Sequence, residues 1–198
     1  MFFSIYISNT IGEEAVGVFT LVMSVYMFGI ALASAGINIS ATRVVSEELA
    51  SNNELGAKKA AQRCVLFSLL FGLSASVIFF VSADFITIHC LHSKISKNVI
   101  YLICIALPFI SMSSAVNGYF TAVRRVYKNA LAKFFEEFVK ILFTAILLKS
   151  LMPDDINYAC YALILADVIS EVTSFAQLYF LYIQPHLSYL PYKLHQPT

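Results

Sequence analysis

The sequence predicts an all-α integral membrane protein built as a bundle of spans, and three observations carry that prediction. Apolar residues fill 59% of the 198 positions and charged residues only 13%, where a soluble domain carries roughly 25% charged. Uncharged runs of 20 residues or more recur along the chain, each long enough, at ~1.5 Å per residue, to cross ~30 Å of hydrocarbon. Basic residues gather in alternate connecting loops, as positive-inside topology requires. The net charge of +1, spread over short loops, excludes a nucleic-acid face. No Gly-rich phosphate loop and no G-x-S-x-G is present, so enzyme chemistry, cofactors and metals are not expected. Cys64, Cys90, Cys104 and Cys160 are scattered without a C-x-x-C and read as small hydrophobes rather than as a disulfide framework.

Taken in order, residues 1–11 are apolar but too short to cross a bilayer, and lack both a basic start and a small-residue cleavage site. They are expected to be the second half of a truncated first helix. A polar turn with Gly12 and Gly17 at its ends leads into the first full span, 16–42, where Gly29, Ala33 and Gly36 put small residues on one face for close helix contact. Residues 43–63 are polar and predict a short amphipathic helix followed by a turn at Asn52-Asn53. The span 64–83 repeats the small-residue device with Ser68, Gly72 and Ser76. In the next loop, His89 and His92 lie three apart but lack the further ligands a metal needs, so a surface loop is the expectation. The span 98–120 contains Pro108, which removes a backbone hydrogen bond that a neighbouring helix must replace. Then come 132–149 and 158–183, and a Pro- and Tyr-rich tail, 184–198, expected to leave the membrane on the cytoplasmic side.

The span 132–149 is the anomaly. Only 15 residues separate Lys133 from Lys149, too few to span unless Glu136, Glu137 and Lys140 enter the membrane with it. A charge at that depth costs about 2.5–3.5 kcal/mol on insertion scales and usually faces a bundle interior or an aqueous path. The last span adds Asp167 and Glu171, four apart and hence on one face. Counting residues from the inner helix ends brings Lys140 within reach of Glu171. Glu136 stands four residues before Lys140, the favourable direction for an intrahelical pair. Glu137 and Asp167 are then left without assigned partners and become candidates for ion or proton coupling.

Orientation follows from the loops. Arg43, Lys58, Lys59 and Arg63, then Arg124, Arg125, Lys128 and Lys133, occupy alternate loops, while the opposite loops hold Lys94, Lys97 and Lys149. That bias predicts a multi-pass protein with the first set cytoplasmic.

The run Gly12-Glu13-Glu14-Ala15-Val16-Gly17-Val18-Phe19, then Ser34-Ala35-Gly36-Ile37 leading to Arg43-Val44-Val45-Ser46-Glu47, resembles the sporulation-type members of the polysaccharide-exporter branch of the multidrug/oligosaccharidyl-lipid/polysaccharide (MOP) flippase superfamily. The likeness continues through Ala106-Leu107-Pro108, Gly118-Tyr119-Phe120, Glu136-x-x-Val139-Lys140 and Glu171 with Ser174. Asn38, Asn117 and Lys128 depart from it, standing where such proteins commonly have proline, a basic residue and proline.

The resemblance implies a MATE-like fold of two six-helix lobes that rock in alternating access, of which this chain is one lobe with its first helix truncated. It implies export of an undecaprenyl-linked precursor across the cytoplasmic membrane of a Gram-positive bacterium. The missing second lobe, or a homodimer partner, would complete the machine. Arg43, Glu136, Lys140 and Glu171 are the substrate-site or cavity residues that it carries over. Asn117 is a further cavity candidate by position, without the basic group that would contact a phosphate, and Glu137 and Asp167 stand as coupling candidates from their own charge and depth. A MATE-type ion-coupled drug or cation antiporter, and a non-transporting membrane scaffold or remnant, are the alternatives.

Overall fold

Helix α1, Glu13–Ser34, opens the computed structural model, which describes residues 13–90, 97–151 and 156–183. It is followed by α2, Ile37–Ala50, and α3, Glu54–Val81. A three-residue helical turn and one π-helical turn at Ile86–Cys90 lead on, and the last three helices are α4, Lys97–Ala122, α5, Val126–Leu151, and α6, Ile156–Ile183. The expected partial helix 1–11, the tail 184–198 and His92 lie outside the described residues.

Four described runs are long and apolar enough to cross a membrane: Val16–Ala50, Glu54–Val81, Lys97–Ala122 and Cys160–Ile183. Helix α5 is excluded from that set by its charges rather than its length, since its 26 residues reach about 39 Å at ~1.5 Å per residue. Its outer face is still apolar: Phe134, Phe138, Ile141 and Ile146 are all at least half exposed and suit a lipid surface.

Breaks between helices have local causes. Gly36 adopts φ 70° at the start of α2, a left-handed conformation that glycine takes without a Cβ penalty. This divides the expected span 16–42 into α1 and α2. Gly36 is therefore not part of a packing seam; a Cβ there would meet nothing within 4 Å. Helix α2 ends with Asn52 at φ 56°, where the Asn53 amide donates to the Glu48 carbonyl and the Asn52 amide to that of Leu49. Arg124, at φ 59°, ends α4 in the same manner, with the Arg125 amide bonded to the Phe120 carbonyl and its own to that of Thr121. Both are left-handed caps that satisfy the last carbonyls of a helix. The Asn53 side chain then accepts from the Gly56 amide and starts α3, ten residues before the expected span at 64.

Helix α4 is the axle, in contact with α1, α2, α3, α5 and α6. The small-residue seam of α3 packs on it as the spacing predicts. Ser68 is buried, and a Cβ on Gly72 would fall 2.7 Å from the Pro108 Cα. Ser76 donates its hydroxyl to the Cys104 carbonyl at 2.7 Å. That bond is the reply to Pro108: a proline at position i has no N–H for the carbonyl at i−4, and here i−4 is Cys104. On the other side of α4, a Cβ on Gly118 would fall 2.6 Å from the Asn38 carbonyl, and Thr42 donates to the Gly118 carbonyl at 3.1 Å. Glycine at 72 and 118 lets α3 and α2 approach the axle closely.

Candidate functional site

Helices α1, α4, α5 and α6 enclose a cavity of about 370 Å³. Each helix contributes one face. From α1 come Met23, Tyr26, Met27, Ile30 and Ser34, a stripe at spacings of three and four. From α4 come Ile110, Ser113, Ser114 and Asn117. Helix α5 supplies Lys133, Glu136, Glu137 and Lys140, and α6 supplies Asp167, Ser170, Glu171 and Ser174. Two lysines and four carboxylates thus share one space inside an otherwise apolar bundle.

Six of the seven site residues expected from the sequence line this cavity: Asn117, Glu136, Glu137, Lys140, Asp167 and Glu171. Arg43 does not. It sits on α2 with its side chain 80% exposed and pairs with Glu47 at 3.0 Å, one turn on.

The pairing inside the cavity differs from the expectation. Lys140 bridges to Asp167, Nζ to Oδ1 at 2.6 Å, rather than to Glu171. Asp167 therefore has the partner that the sequence reading withheld from it. Glu136 is bonded by Lys133, three residues earlier, rather than by Lys140. With Val126 as its first residue, Lys140 stands about 21 Å up the helix, midway in height between Glu171 at about 18 Å and Asp167 at about 24 Å from the end of α6. Its height admits either carboxylate, and the facing of the two helices gives it Asp167. Lys133, assigned from sequence to the loop, is then two turns inside the helix and on the face of Glu136.

Two residues escaped the sequence reading. Lys133 was legible in principle, because Lys133, Glu136 and Lys140 fall at spacings of three and four and share a face. Tyr26 was less so: it is the single tyrosine in a long uncharged span, and only the fold turns it toward the carboxylates.

The cavity is incompletely satisfied. Among the described residues, Tyr26 Oη, Ser113 Oγ and Asp167 Oδ2 are buried without a hydrogen-bond partner, and their residues are 3%, 7% and 3% exposed. Buried polar atoms are normally paired, so oxygens left open on α1, α4 and α6 around one space mark a place for a ligand or water. The cavity floor is fixed from below. Asn129 donates its amide to the Asn117 carbonyl at 3.0 Å and to the Thr121 hydroxyl at 3.3 Å, pinning the start of α5 to the end of α4. Lys128 is buried and lies 4.9 Å from the Phe120 ring centre, a cation–π contact at the same junction. Tyr182 at the end of α6 donates to the Lys58 carbonyl of α3 at 3.1 Å. Among the described residues, no group of three or more His, Cys, Asp or Glu is placed to hold a metal ion.

Comparison with known proteins agrees with this architecture. The profile of the polysaccharide biosynthesis protein family matches residues 1–194. Stage V sporulation protein B of Bacillus subtilis (strain 168) is 23% identical over 175 residues, 88% of this chain and 34% of that protein. The chain therefore spans about a third of the length of that curated relative. Among solved structures, an inward-facing multidrug resistance MATE family transporter of the MOP superfamily superposes with a TM-score of 0.63 at 18% identity, over 90% of this chain and 41% of that one. At that identity the likeness shows the fold, a MATE-like helical lobe, and not the cargo. This chain is a multi-pass membrane protein and belongs to the polysaccharide biosynthesis protein family.

Proposed function

We propose that the chain is the N-terminal lobe of an exporter that flips a lipid-linked oligosaccharide or peptidoglycan precursor across the cytoplasmic membrane. A second lobe completes it. The observation that carries this reading is the gathering of Lys133, Lys140, Glu136, Glu137, Asp167 and Glu171 in one cavity of an apolar bundle. Membrane charge of that density is too costly to be kept for packing alone, and midplane sites between helices are where transporters hold their cargo. Family membership supports a polysaccharide precursor as cargo, with the undecaprenyl-linked pyrophosphate as the group met by the lysines. The basic residues Arg43 on α2, Lys58 on α3 and Arg124 at the end of α4 support a cytoplasmic position for that end of the bundle.

A second reading, ion-coupled export of drugs or cations, has its own support in the excess of carboxylates over lysines in the cavity. Transport of a fluorescent polyprenyl-pyrophosphate oligosaccharide into vesicles separates the two. The full chain is reconstituted alone and with a complementary lobe, beside Glu136→Gln and Lys140→Met. The exporter reading expects movement that both substitutions abolish. Efflux of an organic cation without lipid movement would favour the antiporter, and a cellular role untouched by either substitution would leave a scaffold.

A further inference from the structure

Positive charge is concentrated at the turn between α4 and α5, outside the cavity. Arg124, Arg125 and Lys128 fall within five residues, and Lys128 is only 3% exposed. A buried ammonium group is normally paired, yet among the described residues no carboxylate lies within ion-pair distance of Lys128. Three of the four acids on α2 and α5 are engaged elsewhere, Glu47 with Arg43, Glu48 with the Asn53 amide and Glu136 with Lys133. The fourth, Glu137, lines the cavity. The Phe120 ring, 4.9 Å away, offsets part of the charge on one side only. Two features add to the burden. Lys128 is the third residue of α5, at the positive end of a helix dipole, and Arg125 is a like charge three residues before it. An anion at this corner relieves all of these at once.

The surface beside the turn says which anion. Val126 and Tyr127 are more than half exposed, and Leu131 and Phe135, which share a helical face with Lys128 at spacings of three and seven, are about half exposed. That face suits acyl chains, and a free phosphate has no use for it. We infer that Arg125 and Lys128 form a binding site for the phosphate of an anionic phospholipid, whose acyl chains lie along Leu131 and Phe135. The long lysine stem lets the ammonium group reach out to the interface while its methylenes stay covered. The bound headgroup holds the first turn of α5, the helix that carries Lys133 and Lys140 into the cavity. The exporter reading supplies only the leaflet, the cytoplasmic one; the site itself stands without that reading.

Titration of the full chain in detergent with dioctanoyl phosphatidylglycerol, dioctanoyl phosphatidylcholine and glycerol 3-phosphate tests it. Phosphatidylglycerol should bind at least tenfold more tightly than either of the others, as two basic groups at one headgroup allow. Lys128→Met keeps the stem and removes the charge, and should lower that preference about fivefold without lowering the lipid-free unfolding temperature. Arg125→Gln should weaken the preference as well, and it carries the same comparison if Lys128→Met does not fold. Lys59→Gln, which removes an exposed charge from α3 at the same end of the bundle, should leave the preference unchanged. Equal binding of the two lipids overturns the inference. So does a loss at Lys59→Gln as large as that at Lys128→Met, which would mark diffuse attraction to negative charge. Glycerol 3-phosphate bound as tightly as phosphatidylglycerol overturns the lipid as the source of the phosphate. A lipid preference untouched by Lys128→Met and Arg125→Gln leaves Lys128 to its contact with Phe120 and overturns the site.

Discussion

The α3–α4 seam and the α5–α6 cavity are built from the same helical spacing and reach opposite results. In the seam every third or fourth residue is small, and its polar atoms close on nearby backbone: Ser68 on the Val65 carbonyl, Ser76 on that of Cys104, Ser111 on that of Pro108. In the cavity the facing residues of α5 and α6 include long charged side chains, and Asp167, Tyr26 and Ser113 keep oxygens unsatisfied among the described residues. A lobe that moves as a body needs the first kind of contact, and a site that takes and releases cargo needs the second. The contrast teaches that polarity in a membrane bundle is structural where it is closed and available for function where it is left open.

Four substitutions sharpen or break the comparison. The largest effect is expected from Lys140→Ala, which leaves the buried Asp167 without its ion pair. The loss should be about 3 kcal/mol, the lower end for breaking a buried pair because Lys140 is partly exposed. Exchanging both partners for apolar residues, Lys140→Met with Asp167→Leu, should restore thermal stability while abolishing binding of the cargo. Recovery of binding in that double variant would remove the cavity from the mechanism. Next comes Gly72→Val, which drives a side chain against Pro108 and Ser111 and should cost about 1–3 kcal/mol through overpacking. Gly17, where a Cβ meets nothing within 4 Å, is the matched control.

Smaller is Ser76→Ala, about 0.6–1 kcal/mol for one interhelical hydrogen bond in a membrane protein. Because Pro108→Ala returns an N–H to the Cys104 carbonyl, the serine should matter less in that background. A double-mutant cycle with no coupling between positions 76 and 108 would show that the hydroxyl does not answer the proline. The smallest effect is expected at Arg43. Its exposed pair with Glu47 should contribute under ~0.5 kcal/mol, and Arg43→Ala should leave cargo binding unchanged. A large loss there would move the binding site away from the cavity.

The bundle itself was written in the sequence. Low charge content, the uncharged runs, and the seam of Ser68, Gly72 and Ser76 each act through properties a residue carries with it: the cost of burying charge, the length of a helix, the size of a side chain. So did the anomaly at Glu136, Glu137 and Lys140, because no span of 15 residues avoids them. Partners were another matter. Where α5 begins sets the height of Lys140, and a shift of six residues in that start moves the lysine by about 9 Å, more than the one-turn spacing between Asp167 and Glu171. Which of the two takes it then depends on how α6 faces α5. Tyr26 reads as one aromatic residue in a greasy span until α1 is laid against α5 and α6. The small-residue pattern was blind to Gly36 as well, since a left-handed φ and a packing face both call for glycine. Composition and spacing determined that a charged site lies inside a membrane bundle. Only the tertiary structure decided which charges meet and which oxygens are left open, because both depend on distances between helices far apart in the chain.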